Sequence, residues 1–335
     1  MNMLRSILTI VAIWLFIWTS GVSGEAVYGS YKISGPYTYE NLDIFFFHSG
    51  DKVKSLKMLT LAEALEQEKI VVHETGNVGE LAIENSSDVL IFIHGGDIVK
   101  GGKQDRMIAF DVIIYPGSGR LPLKSFCVEQ GRWSERGNES VRAFESSKNM
   151  VASKSLKIAS KVEQSQGDVW SEVDYAQVNL ADAAEVEVRG GRSPSSLQLT
   201  LENDAVKART SQYIAYMTSQ FERFSDLVGF AFTINGELNS ADIYHNNNLF
   251  TELWPKLSEA CAIEAFSQVT KKESSLKLTP EDIAQWLEQA ETGKSNDKTI
   301  NDYTRLKTIE SETDLVFETY GTEDQVLIHK NVIKR

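Results

Sequence analysis

Two cysteines in 335 residues, Cys127 and Cys261, exclude a disulfide framework, so the stability of this chain must come from a packed core. Each cysteine lies in an apolar run, Leu123 to Val128 and Trp254 to Phe266, which favours two buried thiols over one bridge. No dense run of lysine and arginine breaks the excess of 47 acidic over 34 basic residues, a net charge of −13. So acidic a surface repels phosphate backbones and anionic lipid heads, and nucleic acid is not expected as a partner. The five histidines, His48, His73, His94, His245 and His329, show no i, i+4 pair and no cysteine partner at zinc spacing. The sequence therefore supports neither a metal nor a cofactor, leaving open only a site assembled from distant strands. Internal repeats and low-complexity tracts are also missing. What is present is 42% hydrophobic residues, the content of a globular chain with room for one large domain or two ordinary ones.

The first two dozen residues read as a secretory leader. Arg5 supplies the positive start, Ile7 to Trp18 the apolar run and Val22-Ser23-Gly24 the small-residue cleavage pattern before Glu25. A membrane span needs about 20 apolar residues, and Thr19, Ser20 and Ser23 close this run early. With no cysteine after it to carry a lipid and no second span, the expectation is a secreted or periplasmic protein without a stable membrane anchor once the leader is cleaved.

Taken in order, residues 25–39 are rich in Gly, Ser and Tyr without a period and read as a linker. Leu42 to Phe47 reads as a buried strand, and Thr60 with Glu63 forms a capping box that opens a short helix. From Ile70 to Val128 short β-prone runs alternate with short turn-forming connectors, which suits hairpins and an antiparallel sheet. Residues 166–180 and 204–221 carry apolar side chains at helical spacing. Asn235-Gly236 is a strong hairpin signal between Leu227 to Ile234 and Ala241 to Tyr244. Helices are expected over 248–267 and 281–289, the second opened by Thr279-Pro280. A polar linker over 291–302 and a terminal β-meander follow. The fold class is α+β: a largely antiparallel, sandwich-like β N-terminal half packed with amphipathic helices from the C-terminal half. The division expected is a leader to residue 24, a linker over 25–39, an α+β domain over 40–270 and an extension over 271–335.

Chemistry-bearing residues gather between His94 and Trp133. The glycines before Lys103 lack the spacing of a phosphate loop, which needs a glycine where Asp97 stands and Ser or Thr where Gln104 stands; a glycine-bearing hairpin or bulge fits better. Cys127 to Arg132 has four intervening residues where a phosphatase loop has five, and its thiol has no base nearby in sequence. Ser118, in Pro-Gly-Ser-Gly, lacks the nucleophile-elbow spacing. What remains is Lys103, Gln104, Arg106, Glu129, Gln130, Arg132 and Trp133, able to hold a small anionic or sugar-like ligand through bidentate arginine contacts, amide hydrogen bonds and an aromatic face. The competing reading is an internal network in which Arg106 or Arg132 pairs with Glu129 or Asp111 and ties two β-runs together. Trp170 and Trp254, on helices, read as core.

Three motifs, residues 96–106 (GDIVKGGKQDR), 127–133 (CVEQGRW) and 166–170 (QGDVW), resemble the ARG and Rhodanese-Phosphatase-superfamily-associated protein domain, a family of uncharacterised function. The resemblance runs from about Glu40 to about Phe266, and Asp97 stands where the family pattern has Glu. It implies genomic or functional company with ADP-ribosylglycohydrolases and rhodanese-phosphatases, which is context and not an activity. Two functions are weighed. One is a binding or interaction module for a small molecule or protein. The other is a hydrolase of a nucleotide-sugar or glycosidic bond, with Glu129 or Asp97 as acid or base and Arg106 and Arg132 clamping an anion. The first is preferred, because the sequence pairs no nucleophile with a base.

Overall fold

In the computed structural model, which describes residues 24–49, 57–132, 144–150, 153–269, 277–323 and 325–335, three separated parts of the chain build one large sheet. The expected leader up to residue 23 and Trp133 lie outside the described residues. The chain opens with β1 (Gly24–Tyr28), β2 (Tyr31–Tyr39) and β3 (Leu42–His48). A compact run of short elements follows: β4 (Met58–Thr60), α1 (Leu61–Glu66), β5 (Ile70–Glu74), β6 (Glu80–Asn85), β7 (Leu90–Ile93), β8 (Asp97–Gly101), β9 (Arg106–Ile108), β10 (Val112–Ile114), β11 (Arg120–Cys127) and β12 (Phe144–Met150). Next come α2 (Lys154–Ile158), running into a π-helical stretch at Ala159–Glu163, then α3 (Gln166–Ala184), α4 (Leu197–Leu201) and α5 (Asp204–Phe221). The last part comprises β13 (Leu227–Ile234), β14 (Glu237–Tyr244), α6 (Asn247–Ser267), α7 (Pro280–Ala290), β15 (Lys294–Asn301), β16 (Thr304–Glu310), β17 (Asp314–Gly321) and β18 (Leu327–Lys334).

The large sheet has the order β1-β2-β3-β13-β14-β18-β17-β16-β15, antiparallel throughout. Alternation along β3 sets its two faces. Ile44 and Phe46 join one core with α3, α5 and α6, while Phe45 and Phe47 join a second core closed by Ile283, Trp286 and Leu287 of α7. Trp286 enters that core because its indole N–H donates to Asp314 at 2.7 Å. The β-rich run between β4 and β12 forms two smaller sheets, β10-β7-β4 and β12-β8-β9-β11-β6-β5, which share a core of Leu81, Ile83, Ile91, Ile93, Val99, Ile108, Ile114 and Leu123. The expected α+β class is observed, with one departure inside the antiparallel half: β4 pairs with β7 in parallel.

Two stretches expected as linkers are strands. Residues 25–39 form β1 and β2, whose Ala26, Tyr28, Tyr31 and Ile33 are buried under α7. Residues 294–301 form β15, whose side chains are mostly exposed because it is the sheet edge, with β16 as its one strand partner among the described residues. An edge strand can be polar on both faces, so its sequence carries no β signal. The β-prone stretch over 107–115 forms two strands, β9 and β10, because the chain passes from one small sheet to the other at Ala109–Asp111.

Local signals did set local geometry. Thr60 and Glu63 form the full capping box, with Thr60 N–H donating to Glu63 Oε2 at 2.9 Å and Glu63 N–H to Thr60 Oγ1 at 3.3 Å. Thr60→Ala is expected to cost about 1 kcal/mol, read as a lower denaturant midpoint at unchanged slope. Asn235 and Gly236, at φ 53° and 78°, make the tight turn between β13 and β14.

Candidate functional site

The polar stretch from His94 onward is folded by its glycines. Gly102 turns the chain between β8 and β9 at φ +55°, where a Cβ would lie 2.2 Å from the Phe144 ring, so only glycine fits. The turn faces Arg132 with bare carbonyls: Arg132 donates to Gly102 O at 3.2 Å and to Gly101 O at 3.3 Å. Its Nε bonds Glu129 Oε2 at 2.7 Å, and Asp105 lies 3.5 Å from the same guanidinium. Glu129 also accepts the Asp105 N–H at 3.2 Å, and its carbonyl accepts the Gln104 side-chain amide at 2.9 Å. Arg106, fully buried, donates to Gln104 O at 3.1 Å and has Glu74 at 3.7 Å.

Of the two readings of this set, the structure places Gln104, Arg106, Glu129 and Arg132 in the internal network. The predicted pairing of Arg132 with Glu129 is present, whereas Asp111 is engaged elsewhere. Lys103 is half-buried. Gln130 is exposed and ties its backbone N–H and carbonyl to Ser195 Oγ at 3.0 and 2.7 Å. The third motif closes the same node: the Gln166 amide exchanges two hydrogen bonds of 2.9 Å with the backbone of Cys127, fastening the start of α3 to the end of β11.

Both cysteines are free and buried. Burial pushes the Cys127 thiol up to about 11 and the Cys261 thiol well above its ordinary range. A thiol reagent is therefore expected to titrate two groups only after unfolding, without reductant; rapid reaction of the folded chain would contradict this packing.

A second polar cluster went unseen in the sequence because its members are far apart in the chain. It lies where the β7–β8 turn and the segment before β10 meet the large sheet. His329 on β18 has its Nδ1 2.7 Å from Asp111 Oδ2 and its Nε2 3.1 Å from Asp242 Oδ1. Register explains the gathering: β14 and β18 set Asp242 opposite Asn331 and Tyr244 opposite His329, and β17 sets Thr319 opposite His329. Thr319 Oγ1 donates to Asp111 Oδ2 at 2.7 Å, Gly95 N–H to Asp111 Oδ1 at 2.8 Å, and Asn331 to Asp242 Oδ1 at 2.8 Å. Tyr244 stacks on His329 with centroids 4.3 Å apart, and His94 lies 4.8 Å from the same ring.

Desolvation and charge oppose each other in this cluster. For Asp111, burial alone would raise the carboxyl, but His329 outweighs it and holds it well below the usual range. Asp242 is likewise held low against its burial, by Lys157 and His329. His94 is driven down to about 4, first by burial and then by the charge of His329, so it is a neutral imidazole at ordinary pH.

Beside this cluster opens a cleft of about 610 Å³ between α1, β12 and α6. Asp97 joins the two: its Oδ2 accepts the His94 N–H at 3.1 Å, and its Oδ1 meets Lys256 Nζ at 2.8 Å on the cleft floor. Leu65, Phe144, Leu253 and Pro255 supply apolar wall, and Glu66, Glu145, Glu252 and Glu259 make the lining acidic. Burial, then the nearby Glu63, raises the Glu252 carboxyl above its ordinary range. Among the described residues no helix is long and apolar enough to cross a membrane.

Architecture and motifs together define an α+β domain built on a long antiparallel sheet, with its signature residues spent on an internal clamp. The chain belongs to the ARG and Rhodanese-Phosphatase-superfamily-associated protein domain family, whose pattern matches residues 30–333. The match takes in β15 to β18, which the sequence motifs alone left outside. No curated protein and no solved structure matches the chain.

Proposed function

We propose that this chain is an exported ligand-binding module whose ligand occupies the cleft between α1, β12 and α6. The observation that carries the reading is the cleft's chemistry, an apolar wall under a rim of carboxylates, with Lys256, the one lysine among the described lining residues, engaged with Asp97. Of the two ligand classes expected from the sequence, this chemistry favours the sugar-like one: ring faces pack on Phe144, Leu253 and Pro255 while hydroxyls or an amine donate to carboxylates. An anionic ligand would meet Glu66, Glu145, Glu252 and Glu259 with like charge. A hydrolase working through Glu129 fits less well, since that carboxylate and Arg106 are enclosed.

Calorimetry with glucosamine, glucose and glucose 6-phosphate tests the reading. The amino sugar is expected to bind at least about tenfold more tightly than the phosphate ester, a difference of about 1.4 kcal/mol, and Glu252→Gln to reduce that preference. Equal or tighter binding of the phosphate ester, or binding of none of the three, would remove the cleft as a site of this kind. Export has its own check: N-terminal sequencing of material from the exporting host should begin at or near Glu25, and an intact Met1 in the membrane fraction would count against it.

A further inference from the structure

We infer that His94, Asp111 and His329 form a binding site for one divalent transition-metal ion, zinc by the nature of its donors, buried between the small sheets and the large one. Ring nitrogens and carboxylate oxygens of these three residues all lie within 4.8 Å of one another. Two imidazoles and a carboxylate are a donor set that such ions accept.

The hydrogen bonds around the three residues assign which atoms face the ion. His94 Nδ1 lies 2.8 Å from Gly95 O, which requires Nδ1 to carry the proton and leaves Nε2 a bare lone pair. That Nε2 is buried without a hydrogen-bond partner. A nitrogen lone pair removed from water and left unmatched is costly, and a cation satisfies it. His329 can donate Nε2–H to Asp242, leaving Nδ1 on the Asp111 side; a ligating histidine held from behind by a carboxylate is the usual outer-shell arrangement at a metal. Asp111 is steadied in turn through Oδ1 by Gly95 N–H and through Oδ2 by Thr319. Asp242 Oδ2 and the Tyr244 hydroxyl, both buried without a hydrogen-bond partner, provide further polar atoms in the same cluster. Binding the ion displaces the proton that His329 Nδ1 otherwise shares with Asp111, and Asp111 and Asp242 carry the negative charge that a divalent ion offsets.

All three ligating residues are buried, so the ion would sit away from bulk solvent, where its contribution is to stability. It would clamp the β7–β8 turn and the segment before β10 onto β18, joining parts of the chain more than 200 residues apart, as the separation of 218 between Asp111 and His329 shows. Binding of this kind adds directly to folding stability. The inference is independent of the cleft reading, since it concerns no cleft ligand.

Elemental analysis of the full chain, isolated without added metal and again after refolding with zinc, tests it. About one ion per chain is expected, together with a melting temperature that falls when a strong chelator is added and a histidine signature in X-ray absorption. His94→Gln should lose the ion and its melting should become insensitive to chelator. His48→Gln, whose side chain bonds Ser34 and Asp226 away from the cluster, should keep both. Should His94→Gln fail to fold, the wild-type metal content and chelator response decide alone. Less than about a tenth of an ion per chain in both wild-type preparations, or metal content unchanged in a folded His94→Gln, would overturn the assignment.

Discussion

Arg132→Ala is expected to destabilise the chain by about 3–5 kcal/mol, because it removes the guanidinium paired with two buried carboxylates. Glu129 and Asp105 have side chains wholly removed from solvent, and Arg132 meets them at 2.7 and 3.5 Å. The same substitution frees the carbonyls of Gly101 and Gly102 in the turn that Phe144 packs against. Arg106→Ala should fall on a similar scale, by leaving a cavity at a fully buried position and losing the bond to Gln104 O. Arg106→Met should cost less than Arg106→Ala, since it refills most of the volume and removes Nε and Nη2, which lack hydrogen-bond partners, leaving the loss of the Glu74 ion pair as its main cost. Denaturant melts of the three variants separate these outcomes. A loss below about 0.5 kcal/mol in either alanine variant would mean that the arginine faces solvent, and the stretch would again be a candidate anion site.

Trp254→Ala is expected to cost about 3–5 kcal/mol, the range for removing a large aromatic side chain from a close-packed interior. The indole is the hub of the core between α5, α6 and the large sheet. It stacks on Phe221 at 4.8 Å and meets Phe230 at 5.4 Å, Phe46 at 5.5 Å and Phe250 at 5.7 Å. Four rings packed around one residue resist collapse into the space its removal would leave. Trp254→Phe should lose much less, because it keeps most of the packing and discards an indole N–H that has no partner. Thermal melts of both variants check this, and equal losses would show that the cost lies in the hydrogen-bonding group and not in the volume.

The residues whose neighbours in space are also neighbours in sequence were legible from the start. Thr60 and Glu63 are one helical turn apart, Asn235 and Gly236 are adjacent, and the apolar faces of 204–221 repeat within a single helix, so their geometry is dictated locally. The motif residues from Gln104 to Arg132 were also visible as a group, and one of their pairings, Arg132 with Glu129, is a contact over three positions. Whether that group opened to a ligand or closed on itself depended on the burial supplied by α3 and α4, which no local pattern reports. Edge strand β15 was invisible because backbone pairing, and not side-chain burial, holds it. The cluster of His94, Asp111, Asp242 and His329 was invisible for a stronger reason: its members meet only through the register of β14 against β18 and the docking of the small sheets on the large one. Composition, capping and periodicity determined the class and the pieces, because those are properties of short stretches. Only the tertiary structure decided which polar groups lost their water, and it is that loss which turns scattered histidines and aspartates into a site.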